Sequence, residues 1–277
     1  MREVECIVAP GQALQVTGEG NHWHFHPELE LTLWTAGEGT RFVGDHIGVF
    51  TSGDLVLLGE KLPHYWHARG QSSGISLQWQ FPESHPFWAF PEHFALAELF
   101  QRAGRGIRLG GQTALDVAQS LQDLPRVAGP AQLALFFTIL SRIAAAPLGD
   151  CTLLSARAFA LSAESRYPAA MAQAIRHLTA HFRNPIRLED LLQITGLSRP
   201  TFARQFKAHS GRSFSEFLNR LRLQAACNEL KGSDRGVLDI ALASGFTQVS
   251  FFNRLFRREL KCSPTDYRLR NRRGSKR

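Results

Sequence analysis

The sequence predicts an α+β protein: a small N-terminal β-barrel with a helical appendage, then an all-α domain of two helix-turn-helix motifs joined by a long helix. Three observations predict it. Between Glu28 and Phe81 apolar and polar residues alternate between glycine-rich turns, the pattern of several short antiparallel strands. From residue 169 onward the apolar period becomes helical, and one block repeats itself 49 or 50 residues later. The charge divides at the same place. Residues 169–277 hold 21 Lys and Arg against 8 Asp and Glu, a net of +13, whereas residues 1–168 carry −5 of the total of +8.

The 277 residues, 44% hydrophobic and 20% charged, suffice for two or three small globular domains. No apolar stretch approaches the ~20 residues of a membrane helix; the best run, Leu133 to Leu140, is far shorter. The start, Met1-Arg2-Glu3-Val4-Glu5, carries acid and lacks the apolar core of a signal peptide. Cys6, Cys151, Cys227 and Cys262 form no CxxC pair, which points to free thiols in a reducing cytosol. Membrane, secreted and fibrous classes are therefore excluded, and a cytoplasmic protein is expected. The basic C-terminal third is the part suited to a polyanion.

Met171, Ala174, Ile175, Leu178 and Phe182 recur at helical spacing and stop before Asn184-Pro185, so a helix is expected over 169–183. A short helix with Leu188, Leu191 and Leu192 follows, then a turn at Gly196 and a helix from Ser198 carrying Phe202 and Phe206. Ser213-x-x-Glu216 is a capping box that opens a long helix, 214–230, with Gly232 as its expected C-cap. Ile240-Ala241, Gly245, Phe252, Arg254, Phe256, Pro264 and Tyr267 then repeat Leu191-Leu192, Gly196, Phe202, Arg204, Phe206, Phe214 and Phe217. A short helix, a Gly turn and a helix with Arg between two core Phe, twice over, is helix-turn-helix geometry.

The stretch Leu238-Asp239-Ile240-Ala241, Ser244-Gly245-Phe246, Ser250-Phe251-Phe252-Asn253-Arg254-Leu255-Phe256-Arg257-Arg258 and Ser263-Pro264 with Tyr267-Arg268 resembles the signature of the AraC/XylS transcriptional regulators. The resemblance covers about 100 residues and joins two tandem motifs to the Ser-Pro-x-x-Tyr-Arg ending. Lys261 stands where the family usually has Gly, as Gly211 does in the first copy, and Leu192 where a small residue is usual. The resemblance implies double-stranded DNA as partner, a homodimer, and RNA polymerase as a further partner.

In such a unit the second helix of each motif enters the major groove. With Phe202, Phe206, Phe252 and Phe256 turned to the core, the first motif offers Arg199, Pro200, Thr201, Ala203, Arg204 and Lys207 to DNA. The second offers Gln248, Ser250, Phe251, Asn253, Arg254 and Arg257. Arg204 and Arg254 are the expected base readers, since Arg takes guanine O6 and N7 together; the competing role for each is a phosphate contact. Asn253 and Gln248 suit adenine, and Phe251 or Pro200 a thymine methyl. The long helix would hold both recognition helices on one DNA face, about one turn (~34 Å) apart.

In the N-terminal part, Gly18-x5-His24-x-His26-x3-Glu30-x6-Gly37 is similar to the first cupin motif at every spacing, and Gly53-x5-Gly59-x-Lys61-x2-His64 keeps the histidine of the second. On a strand, His24, His26, Glu28 and Glu30 would share one face and point into a barrel mouth. His24, His26, Glu30 and His64 would suit a divalent metal, Zn, Fe, Mn or Ni. Two other readings stand beside it: the cluster hydrogen-bonds an organic effector, or His26-Pro27-Glu28 simply closes a barrel end. Trp34 and Trp66, with His24, His26, Glu28, Glu30 and His64, make a candidate effector site with aromatic walls for a small molecule, a carbohydrate among the candidates.

The expected domains are 1–85 (effector-binding barrel), 86–168 (helices and linker, the linker over 147–168) and 169–277 (DNA binding). Helix 131–146 is apolar nearly all round and must be covered, by its own barrel or by a second copy. The leading function is an effector-controlled transcription regulator and not an enzyme. The alternatives are a metal-dependent cupin enzyme with an attached helical domain, and an architectural DNA binder with a vestigial barrel.

Overall fold

The computed structural model describes residues 3–8, 22–159, 161 and 166–273. Gly18 of the first His-rich motif and the end of the basic tail, from Gly274, lie outside the described residues. The chain forms two units, Met1–Pro168 and Ala169–Arg277.

The first unit is organised by a strand buried on both faces. In β2 (Leu29–Ala36) the odd residues Leu29, Leu31 and Leu33 face one core, while Glu30, Thr32 and Trp34 face the other side, as a two-residue period requires. β2 pairs antiparallel with β5 (Leu55–Leu58) and with β7 (Ser73–Trp79). β1 (Glu3–Val8) adds to β7 in parallel, giving a six-stranded sheet completed by β8 (Ile107–Leu109) and β9 (Cys151–Leu153). A second sheet has the order β4 (His46–Phe50), β3 (Gly39–Val43), β6 (His64–Ala68).

The two sheets enclose a small core in which Trp34, Val56 and Leu58 of the first meet Val43, Phe50, Trp66 and Ala68 of the second. Among the described residues no hydrogen-bonded ladder joins the sheets into a closed barrel. The leucines on the other side of β2 pack with Leu55, Leu57 and Leu77 under three helices, α1 (His93–Ala103), α2 (Gly111–Asp123) and α3 (Pro130–Ala144). The apolar side of α3 is spent there: Phe136, Ile139, Leu140 and Ile143 are buried, and Leu133 remains exposed. Residues 86–153 thus add strands as well as helices, and Cys151–Leu153, within the stretch expected as linker, pairs with β8.

The second unit is all helical: α4 (Pro168–His181), α5 (Leu188–Thr195), α6 (Arg199–Ser210), α7 (Phe214–Gly232), α8 (Val237–Ala243), α9 (Val249–Leu260) and α10 (Pro264–Arg273). α7 opens on a capping box: the Ser213 hydroxyl accepts from Glu216 N–H at 3.4 Å, and the Glu216 carboxylate accepts from Ser213 N–H at 2.9 Å. Gly232 does not provide the expected left-handed cap. It is the last helical residue, and extended Ser233 ends the helix with its amide donating to Glu229 O. Described residues contain no helix long and apolar enough to cross a membrane.

Candidate nucleic-acid interface and sensor site

Each recognition helix is oriented by its own phenylalanines. Phe202 and Phe206 on α6 are 1% exposed, Phe252 and Phe256 on α9 are fully buried, and within each pair the rings lie 5.3 and 5.5 Å apart. Four-residue spacing puts each pair on one helix face, so the opposite face must meet solvent. On α6, Arg199, Pro200, Ala203, Arg204 and Lys207 are exposed and Thr201 is half-buried. On and just before α9, Gln248, Ser250, Arg254 and Arg257 are exposed, with Phe251 and Asn253 half-buried.

The two arginines at matched positions differ in their surroundings. Arg254 lies with its guanidinium 5.8 Å from the Phe251 ring centroid, which limits its rotamers by a cation–π contact. Arg204 makes no ion pair or hydrogen bond with any described residue. Arg199 is held by Glu189 of α5. Gln248 precedes the helix in extended conformation, as its N-cap residue.

α7 supports both motifs. Near its start Phe217 meets Phe206 edge to face at 5.4 Å; further along, Leu223, Ala226, Cys227 and Leu230 share a core with Ile240, Phe252 and Phe256. Arg220 of α7 reaches Glu259 of α9 at 3.6 Å. The C-terminus of α4 is fastened to the same helix: Arg222 donates through Nε to Phe182 O at 2.7 Å and through Nη2 to Asn184 O at 2.9 Å. Gly245, in the turn of the second motif at φ +94°, lies against those groups. Lys261 ends α9 at φ 57°, the left-handed position that Gly211 fills in the first copy at φ 73°.

In the first unit, Glu30, His24, His26 and His64 come together, by a different route from the one the spacing suggests. β2 begins only at Leu29, so His24 and His26 lie on an irregular approach segment rather than on a strand face with Glu30. That segment is tied to β6 through the isolated bridge between His24 and His64. The three histidines offer ligating nitrogens within 4.8 Å of one another. In each, Nδ1 donates to a backbone carbonyl: His24 to His22 O at 2.8 Å, His26 to Glu28 O at 3.1 Å, His64 to Leu62 O at 2.8 Å. At His24 and His64 this leaves Nε2 as the group that can ligate; at His26, Nε2 faces the Glu30 carboxylate and donates to it, so it would ligate only on releasing that proton.

Glu30 joins them, its Oε2 3.0 Å from His26 Nε2 and 3.7 Å from His64 Nε2, while Gln78 donates to the same oxygen at 2.7 Å and Thr32 to the other. Burial holds the His64 and His24 imidazoles below their ordinary range, far below for His64. His26 is also opposed by burial, but the hydrogen bond and charge of Glu30 outweigh it and hold its pKa up. Burial would raise Glu30; His64 and His26 overcome it and hold the carboxylate well below its usual range. Glu28 sits at the rim, half-exposed, 3.3 Å from His26 Nδ1.

Trp34 and Trp66 lie deeper, between the sheets, 6.3 Å apart, with Trp66 5.6 Å from the His64 ring. Four buried polar atoms of this interior have no hydrogen-bond partner among the described residues: Trp34 Nε1, Trp66 Nε1, Arg41 Nε and His64 Nε2. Arg41, which pairs with Asp54, was not singled out from sequence, nor were Thr32 and Gln78. The available signal was their polar side chains at inward positions of strands that are otherwise apolar.

Two helix-turn-helix motifs sharing one central helix, each exposing a basic face, define a DNA-binding protein. Comparison with known proteins agrees. A helix-turn-helix domain family model matches residues 191–270. The HTH-type transcriptional activator RhaS of Salmonella schwarzengrund is 24% identical over 259 residues, covering 88% of this chain and 86% of that protein. RhaS of Salmonella arizonae is 25% identical over 269 residues at the same coverage. Among solved structures, a probable AraC family transcriptional regulator from Rhodopseudomonas palustris is 30% identical over 38% of this chain and 98% of that one, with a TM-score of 0.36. The chain is a regulator of the AraC/XylS family, a DNA-binding transcription protein and not an enzyme.

Proposed function

We propose that the protein activates transcription by binding a non-palindromic DNA site through α6 and α9, under the control of a small molecule held in a cupin-type N-terminal sensor. The observation that carries the DNA half is the segregation of faces: Arg204 and Arg254 occupy matched exposed positions directly opposite buried phenylalanine pairs. A helix so oriented presents its N-terminal residues to base edges while its core side stays packed. An activating role accords with the relatives' designation as activators, and recruitment of RNA polymerase and pairing of two copies belong to the same reading.

For the sensor half, the Trp34, Trp66 and Arg41 donors between the sheets, unpaired among the described residues, support an effector rich in acceptor oxygens, because a buried donor without a partner costs about 1–3 kcal/mol. Stacking on Trp34 or Trp66 with hydroxyls reaching Arg41 and His64 suits a carbohydrate. The three clustered imidazoles and Glu30 also fit a divalent metal of the Zn, Fe, Mn or Ni type. His24, His26, His64 and Glu30 would hold it, and it would supply a Lewis-acidic anchor for effector oxygens. Effector binding would shift the population of DNA-competent states.

The test of the DNA half is a mobility-shift assay at stated salt on an operator selected from random sequence. Arg204→Ala and Arg254→Ala are each expected to lose about 1–3 kcal/mol of discrimination at one base pair. Retained discrimination, with only salt-dependent affinity lost, would reduce both residues to phosphate anchors.

A further inference from the structure

A cavity of about 550 Å³ lies in the first unit, beside α1 and α3 and separate in its lining from the histidine cluster. Phe81, Phe87, Phe90, Phe136 and Phe137 form its walls. Three of these rings are nearly parallel: Phe87 stacks on Phe81 at 4.3 Å and faces Phe137 at 6.1 Å. The rings brace one another into a rigid aromatic wall that suits an apolar aromatic guest, and the volume lies within the range of small-molecule sites.

The polar groups in the lining are few and their roles are set by the backbone. His85 Nδ1 accepts from Phe87 N–H at 3.1 Å, so the ring proton is on Nε2 and that nitrogen is a donor. His93 Nδ1 lies 2.7 Å from Phe90 O, which can only accept, so the proton is on Nδ1 and Nε2 of the neutral ring is an acceptor. His85 and His93 therefore bring one donor and one acceptor to a lining made mostly of phenylalanines, and Glu92 at the rim works against an anion. A hydroxyl is the smallest group that both donates and accepts.

We propose that this cavity is a second small-molecule site, selective for neutral aromatic alcohols of phenol or naphthol type, and distinct from the sensor site between the sheets. The ring packs in the cavity against the phenylalanine walls while the hydroxyl accepts from His85 and donates to His93. A ligand there bridges the segment around Phe87 to α1 and α3, the layer that packs against β2 on the face opposite Glu30 and Trp34.

The experiment is titration of the full-length protein with 1-naphthol, naphthalene and 1-methoxynaphthalene by isothermal calorimetry. One 1-naphthol per chain is expected, with naphthalene and 1-methoxynaphthalene each at least ten-fold weaker. Leu133→Trp fills the cavity from its exposed rim and should weaken 1-naphthol at least ten-fold. The pair His85→Phe and His93→Phe should abolish the preference for the hydroxyl while naphthalene still binds. His64→Ala, at the other site, should leave 1-naphthol binding unchanged. The proposal is overturned if no saturable binding occurs, if Leu133→Trp binds as well as wild type, or if binding follows His64. It is equally overturned if sedimentation reveals a dimer that Phe90→Ser dissociates and 1-naphthol does not compete with, because a second copy then covers the cavity.

Discussion

Gly196 and Gly245 occupy equivalent turns in the two motifs, and substitution by alanine should separate them sharply. Both adopt positive φ, +66° and +94°, and in such conformations a Cβ costs about 1–2 kcal/mol. Loss of glycine's freedom in the unfolded chain returns about 0.4–1 kcal/mol. At Gly196 a Cβ would meet nothing within 4 Å, so the net cost is about 0–1.6 kcal/mol. At Gly245 it would lie 2.7 Å from Phe182 O, 2.8 Å from Arg222 Nε and 3.0 Å from Arg183 Cα. Relieving that contact means displacing the end of α4 or breaking its bond to Arg222, a further ~1–3 kcal/mol typical of overpacking. Gly245→Ala should therefore cost about 1–4.6 kcal/mol in all, about 1–3 kcal/mol more than the same change at Gly196. The assay is urea denaturation of the full chain followed by circular dichroism at 222 nm, resolving the transition of the helical unit. Equal costs at the two positions would refute the reasoning, since they would mean that α4 is not fastened at the turn of the second motif.

Glu216→Gln should destabilise the helical unit by about 0.5–1 kcal/mol at pH 7 through the capping box. The bonds from Ser213 hold the Glu216 carboxyl below its ordinary 4.5, so the stabilisation is complete above that value and is lost as pH falls through the lowered one. Paired melts of wild type and variant should therefore converge on acidification; a difference that persists unchanged at low pH contradicts this. In the sensor unit, added Zn²⁺ should bind at one per chain and raise the melting temperature, by an amount equivalent to about 2.7 kcal/mol at a hundred times its dissociation constant. His64→Ala should abolish this rise, and equal stabilisation of that variant by Zn²⁺ would rule the cluster out as the site.

The helical third was the most legible part of the sequence, because its signals are local. Phe202 with Phe206, and Phe252 with Phe256, fix helix phase over four residues, and Ser213 with Glu216 marks a helix start without help from distant residues. Gly232 misled for the same reason: glycine permits a left-handed cap without enforcing one, and the backbone there stays helical through it. Long-range pairing was not legible. β8 and β9 are three residues each, too short for a period to distinguish them from turns, and exist because β5 offers an edge to pair with.

The sensor cluster shows a mixed case. Alternate positions on one strand are not what brings His24, His26, Glu28 and Glu30 close to one another, since the strand starts at Leu29. Arg41 was passed over because an inward arginine makes sense only beside Asp54, thirteen residues away and on another strand's edge. Lys261 was legible as a departure from glycine, and the backbone keeps the left-handed turn in spite of it.

The central claim is that α7 fixes the two arginine-bearing helices in one spatial relationship, so that a single chain spans two successive major grooves. The direct measurement is the affinity for a selected operator after inserting five base pairs between the segments read by α6 and α9. The insertion rotates one groove to the far side of the duplex, and affinity should fall to that of the same protein for unrelated DNA at equal salt. Undiminished affinity for the lengthened operator would contradict the claim, because the two helices would then be reading DNA independently of the helix that joins them.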